Sequence, residues 1–200
     1  MSESLRNELD DDTALLVIDV QKGFDDPYWG RRDNAAAEDN ITALIRAWRA
    51  AGRPIVVVRH DSVEPSSPLA PDRPGNELKD LVAAAMDGAE PDLFVTKSVN
   101  SAFYGEPDLN GWLRGRGIGQ IVIAGMQTNM CNETTARMGG NLGFDVLYAI
   151  DAMHTFDAVG PDGETVTAEA LTRATAASLH HGGFARVVRT RELLGTPATA

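Results

Sequence analysis

The sequence is short of cysteine: Cys131 is the only one in 200 residues, so no disulfide can form within the chain, which agrees with a reducing compartment. It is also short of positive charge. Against 29 Asp and Glu stand 18 Lys and Arg, and the resulting net charge of -11 repels phosphate backbones and anionic membrane surfaces. The expected partner is a small molecule, with no nucleic acid and no membrane. No apolar run approaches the ~20 residues that span a bilayer. The opening MSESLRNELDDDT has neither a basic n-region nor an apolar h-region, so no secretory signal is expected and the cytoplasm is the expected location.

What is present is a series of Val- and Ile-rich runs: ALLVIDV (14–20), PIVVVRH (54–60), DLFVTKS (92–98), QIVIAGM (120–126), FDVLYAI (144–150) and FARVVRT (184–190). Most are continuous instead of alternating, which suits strands covered on both faces. Between them lie stretches with helical spacing, such as 34–52, where Ile41, Leu44, Ile45 and Trp48 recur at helical intervals and Gly52 marks a stop. This alternation predicts the α/β class: a Rossmann-like, mostly parallel six-stranded sheet between two helical layers. Residues 13–200 read as one domain behind a flexible N-terminal segment, 1–12. The connection 60–77, with Pro65, Pro68, Pro71 and Pro74, reads as a structured loop over the carboxyl rim of the strands.

In such folds ligands bind outside the carboxyl ends of the strands. Cys131 follows the fourth run across a short turn, with Thr128 or Asn129 placed to cap the next helix; in that helix's first turn, free backbone N–H groups and the positive end of the macrodipole are expected to lower the thiol pKa. Position alone leaves two readings, a buried small hydrophobe or a nucleophile. Asp19 and Lys97 stand at two other strand ends, where an acid and an ammonium complete a nucleophilic set with the thiol. GRGIGQ (115–120) is glycine-rich but precedes a strand, whereas a dinucleotide loop follows one; NAD and FAD are excluded on that ground, and no cofactor is expected. A redox thiol protein is disfavoured because no second cysteine exists to resolve a disulfide.

VIDVQKGF, TKSVNSAFYG and VIAGMQTNMCNETTARMGGNLGFDV resemble, in order and spacing, the three signature blocks of the isochorismatase-like cysteine hydrolases, a group that includes nicotinamidases and N-carbamoylsarcosine amidases. The resemblance spans about residues 13–190. It implies a three-layer αβα sandwich, a catalytic triad of Asp19, Lys97 and Cys131, and an oxyanion hole from the N–H groups of Gln127 and Cys131. A cis peptide between Met126 and Gln127 and a homodimer or homotetramer are implied as well. The implied activity is hydrolysis of a carbon–nitrogen bond, amide or carbamoyl-type, through a thioester. A non-catalytic or ligand-binding member of the fold, or a hydrolase of an isochorismate-like substrate, are the alternatives.

The sequence departs from two branches of that group. Isochorismatases proper typically lack the thiol that stands here as Cys131. Nicotinamidases carry an Asp-x-His metal motif with a further histidine; here His60 precedes Asp61 and no second histidine occurs before His154, so no metal is expected and His60 reads as a loop hydrogen-bonding group. Candidate walls of a substrate pocket are Phe24 and Trp29 after the first strand, Asn100 and Phe103 after the third, and His154 after the fifth.

Overall fold

The apolar runs divide their side chains between two faces. In β1 (Ala14–Ile18), Leu15 and Val17 enter one buried cluster, Ala14, Leu16 and Ile18 enter another, and all five are fully buried. A strand apolar on both faces has to be covered on both, which is why these runs are continuous. The computed structural model, which describes residues 9–195, continues with β2 (Ile55–His60), β3 (Leu93–Lys97), β4 (Gln120–Met126) and β5 (Asp145–His154); of these the edge strand β3 departs from the pattern, burying Val95 and Lys97 but leaving Phe94 exposed. A small hairpin, β6 (Ala158–Val159) with β7 (Thr165–Val166), and a last strand, β8 (Arg186–Val188), complete the set.

Six parallel strands form the central sheet in the order β3-β2-β1-β4-β5-β8. The helices are α1 (Ala37–Ala50), α2 (Asp80–Met86), α3 (Leu109–Gly115), α4 (Glu133–Asn141), α5 (Ala168–His181) and α6 (Thr190–Leu193). Ile41, Leu44, Ile45 and Trp48 of α1 join Val82 and Met86 of α2 and Leu193 of α6 on one face. Leu109 and Leu113 of α3, Ala136 of α4 and Leu179 of α5 cover the other. The architecture is thus the expected α/β sandwich. Among the described residues, no helix is long and apolar enough to cross a membrane.

The chain adds strands outward from β1 in one direction, then returns to add β4, β5 and β8 in the other. The β1/β4 boundary is therefore the topological switch point, where a crevice opens at the strands' carboxyl ends. Gly125 lets the two strands approach there: its φ is +132°, and a Cβ on it would lie 1.9 Å from the Ile18 carbonyl oxygen. The β4–β5 register also shifts between Ile123 and Gly125, after which β5 runs on to pair His154 with Met126. His154 accordingly lies inside β5 and not, as the run 144–150 predicts, in a loop beyond it.

The proline-rich connection is ordered as expected. Buried Asn76 donates to the carbonyls of His60 and Leu69 at 3.1 and 2.9 Å, and the Lys22 N–H donates to the Glu77 carbonyl at 2.8 Å. Of the expected flexible segment, residues 1–8 lie outside the described residues, while the Asp10 N–H donates to the Gln120 side chain at 3.1 Å. The β6–β7 hairpin and α6 carry no sequence signal long enough to predict them.

Candidate active site

Lys97 ends β3, two strands away from β1, and its long side chain crosses the end of β2 to reach the residue that follows β1. Its Nζ donates to Asp19 Oδ2 at 2.6 Å, and neither side chain has any exposed surface. The same ammonium stands 3.4 Å from Cys131 Sγ and 3.1 Å from His60 Nδ1. An ammonium has three protons, and three groups able to accept one stand around it here. The three residues that the spacing assigns to a nucleophilic set, Asp19, Lys97 and Cys131, are therefore brought together at the switch point.

Asp19 holds a φ of +53°, and its N–H donates to the Val58 carbonyl at 2.9 Å, so the backbone turns just where β1 ends. One carboxylate oxygen, Oδ2, is taken by Lys97. The other, Oδ1, is buried with no hydrogen-bond partner, while an Asp19 oxygen, a His60 ring nitrogen and Cys131 Sγ lie within 4.8 Å of one another. Such a trio has the donor types of a metal site. The Lys97 ammonium, however, is already at bonding distance from all three residues and supplies the positive charge there, which gives a resident cation no favourable place.

The electrostatics correct one expectation. Burial pushes the Cys131 thiol well above its ordinary pKa and the Asp19 charge pushes it further; Lys97 pulls it down without compensating. The sequence reading has a helix start lowering it. In the structure Cys131 sits within a single turn of π-helix, Thr128–Asn132, only 7% exposed, and α4 proper begins at Glu133. Neither Thr128 nor Asn129 caps that helix: Asn129 Oδ1 instead accepts from the Thr155 hydroxyl, and Thr128 Oγ1 has no partner. For Lys97, burial favours the neutral amine, but Asp19 and then Cys131 outweigh it and hold the ammonium above its usual range. His60 is driven below its usual value by burial and by Lys97, against the opposing charges of Asp19 and Asp61.

The Met126–Gln127 peptide is cis, as the resemblance implies. The Gln127 carbonyl accepts from the N–H groups of Met130 and Asn132 at 3.2 and 3.3 Å, which fixes the turn that carries Cys131 between them. Gln127 Oε1 lies 3.3 Å from the Thr155 hydroxyl oxygen, whose proton goes to Asn129, so the Gln127 side chain points toward β5's far end.

The candidate pocket residues separate. Asn100 is exposed, and its Oδ1 lies 3.9 Å from Cys131 Sγ; it lines an open cleft of about 490 Å³ with Ser98, Val99, Ser101, Tyr104, Thr134 and Met138. Phe103 turns away into the core and stacks on Phe144 at 5.7 Å. Phe24 and Trp29 form a packed aromatic cluster with Phe156, at 6.3 and 5.6 Å, and the Trp29 indole N–H donates to the Gly23 carbonyl. His154 is fully buried against Phe24 and Phe156, with Glu38 3.8 Å from its Nε2, and burial with Arg32 lowers its pKa to about 3. A larger cavity of about 610 Å³ lies between the segment after β1 and the proline-rich loop; neither lining includes Asp19, Lys97 or Cys131, and the Asn100 cleft adjoins the site through the Asn100–Cys131 contact.

Sequence reasoning missed the polar support beneath the site. Gln21, fully buried, accepts the His60 N–H at 2.9 Å and donates to the His60 carbonyl at 3.0 Å. The signal available was a glutamine two residues after Asp19 in an otherwise apolar stretch. His60, read as a loop group, is the last residue of β2, in register with Lys97.

Residues 13–181 match the family model described as the Isochorismatase domain. The uncharacterized isochorismatase family protein YrdC of Bacillus subtilis is 34% identical over 93% of this chain and 96% of its own. Ureidoacrylate amidohydrolase RutB of Methylobacterium radiotolerans is 29% identical over 94% of this chain and 81% of its own. Among solved structures, a hydrolase of the isochorismatase family from Chromobacterium violaceum superposes with a TM-score of 0.86 at 37% identity, covering 98% of both chains. With sheet order, signature blocks and family match in agreement, the chain belongs to the isochorismatase family, which includes amidohydrolases.

Proposed function

We propose that this protein is a cysteine hydrolase that cleaves a carbon–nitrogen bond, amide or carbamoyl-type, in a small molecule through a thioester. The observation that carries this reading is the division of labour on Asp19. Oδ2 is held by Lys97, Oδ1 is buried without a hydrogen-bond partner, and a carboxylate oxygen of Asp19 lies within 4.8 Å of Cys131 Sγ, a costly arrangement unless the free oxygen has a proton to accept.

In this reading the substrate carbonyl oxygen faces the N–H groups of Gln127 and Cys131. The Sγ–H proton passes to Asp19, Sγ attacks the carbonyl carbon, and the oxyanion is held by those N–H groups. On collapse the C–N bond breaks, and Asp19 returns its proton to the leaving nitrogen. Asp19 then takes a proton from water, whose oxygen attacks the thioester; the C–S bond breaks, Asp19 passes that proton to Sγ, and the acid product leaves. Lys97 stays protonated throughout, balancing whichever of carboxylate and thiolate carries the charge. The likeness to ureidoacrylate amidohydrolase supports the bond type. Hydrolysis of an isochorismate-like vinyl ether would leave the thiol without a role.

A screen of primary amides, carbamoyl compounds and nicotinamide with ammonia as readout tests the proposal. The native protein is expected to release ammonia from at least one of them, and Cys131→Ala at least a thousandfold less. Full activity in Cys131→Ala on a substrate the native protein cleaves would sink the thioester mechanism.

A further inference from the structure

We infer that His60 is a positioning residue of this site: its Nδ1 accepts the third ammonium proton of Lys97 and thereby aims the other two at Asp19 and Cys131. Its consequence for turnover rests on the cysteine-hydrolase reading; the geometry does not.

The parallel register of β2 and β3 sets His60 beside Lys97, and β2 is the strand that the lysine side chain crosses to reach Asp19. Nζ to Nδ1 is 3.1 Å, between the 2.6 Å to Asp19 Oδ2 and the 3.4 Å to Cys131 Sγ. An ammonium has no lone pair with which to accept from an Nδ1–H, so the 3.1 Å contact with Nζ calls for the neutral ring to carry its proton on Nε2, which leaves Nδ1 as the acceptor. The backbone of His60 is held on both sides: Gln21 accepts from its N–H, and Gln21 and Asn76 both donate to its carbonyl, at 3.0 and 3.1 Å. A backbone so held fixes the point from which the ring reaches Lys97 before any substrate arrives.

Without this acceptor the buried ammonium has one proton unpaired and is free to tilt away from the thiol. The groups facing His60 are Lys97 from β3, Asp19 after β1, Cys131 in the π-turn and Asp61 next in the chain, itself engaged by Arg59 at 2.8 Å. Burial and Lys97 keep the ring neutral at ordinary pH, with Asp19 and Asp61 opposing. Protonation at low pH fills the Nδ1 lone pair and sets two cations against each other. The site is then expected to lose its lysine geometry as pH falls through the lowered histidine pKa.

The test compares His60→Ala with His60→Asn, whose amide oxygen stands near the place of Nδ1 and does not titrate. On a cleaved amide, His60→Ala is expected to lower kcat at least tenfold with KM within threefold, and His60→Asn to recover most of that loss. The acid limb of kcat, below pH 6.5 in the native protein, is expected to move at least half a unit lower in His60→Asn. A kcat within twofold of native in His60→Ala, no recovery in His60→Asn, or an unchanged acid limb each overturns the inference. A readout independent of hydrolysis is the ring NMR titration of His60, identified by its loss in His60→Asn. The Nε2–H tautomer and a pKa below 6.5 that rises in Lys97→Met support the role, and the Nδ1–H tautomer or an ordinary pKa overturns it. If no amide is cleaved, the function proposal fails while the NMR result still decides the role of His60.

Discussion

At the scale of single residues, the site holds a thiol that is not ionised at rest. Burial and Asp19 raise the Cys131 pKa, so the thiolate forms only when its proton moves to the neighbouring carboxylate. Alkylation by iodoacetamide reads this directly. The rate at pH 7 is expected to lie below that of a free cysteine, whose pKa is about 8.5, and to go on rising above pH 9. The partners act with opposite signs: Asp19→Asn removes the charge that raises the thiol pKa and should speed alkylation between pH 7 and 9, whereas Lys97→Met should slow it. A native profile that levels off below pH 8 would contradict the assignment. The same shift links to stability. A thiol whose folded pKa exceeds its unfolded one contributes stability below the unfolded value and loses it as pH rises beyond, so the protein should weaken above about pH 9. Removing either member of the buried Lys97–Asp19 pair leaves an unpaired charge at a cost of about 3–5 kcal/mol, so each variant's fold has to be checked before its kinetics are read.

At the scale of elements, the site depends on how closely β4 approaches β1. A Cβ at Gly125 would meet the Ile18 carbonyl oxygen at 1.9 Å on a backbone with φ of +132°, and neither strand can retreat without opening the sheet. Gly125→Ala is expected to lower stability by more than about 3 kcal/mol in urea denaturation, from steric overlap added to backbone strain. Gly119→Ala, exposed and with nothing within 4 Å of a Cβ, is the control, with a change within about 0.5 kcal/mol. The strands themselves were legible because an apolar run without alternation has few other uses in a soluble chain. Asp19 and Lys97 were legible because each breaks the apolar pattern at a strand end, and Cys131 because it is the only cysteine and follows a strand across a short turn. His60 was not: its meaning arises only when β2 pairs with β3 and puts it beside Lys97, which is 37 residues away in sequence. Nor was the inward turn of Phe103, since a short 3-10 turn, Ala102–Tyr104, decides which of its neighbours faces the cleft. The length of β5 was hidden by the register shift that carries it past residue 150 to His154.

At the scale of the whole molecule, the net charge of -11 bears on which substrates the proposed amide hydrolase would take. None of the residues lining the cleft beside Cys131 is charged: Ser98, Val99, Asn100, Ser101, Tyr104, Thr134 and Met138. The one cation in the site, Lys97, is neutralised by Asp19 at 2.6 Å. An anionic substrate therefore meets long-range repulsion with no local positive group in the cleft lining to offset it, whereas an uncharged amide meets neither. Salt separates the two, because the Debye length falls from ~30 Å at 0.01 M to ~8 Å at 0.15 M and removes the long-range part. Over that range, kcat/KM for a carboxylate-bearing amide is expected to rise by about threefold or more, and for its uncharged counterpart to change by less than about 1.5-fold. A value for the anionic substrate that falls with salt would mean that a positive surface steers it in, and that the mouth of the site lies somewhere other than the Asn100 cleft.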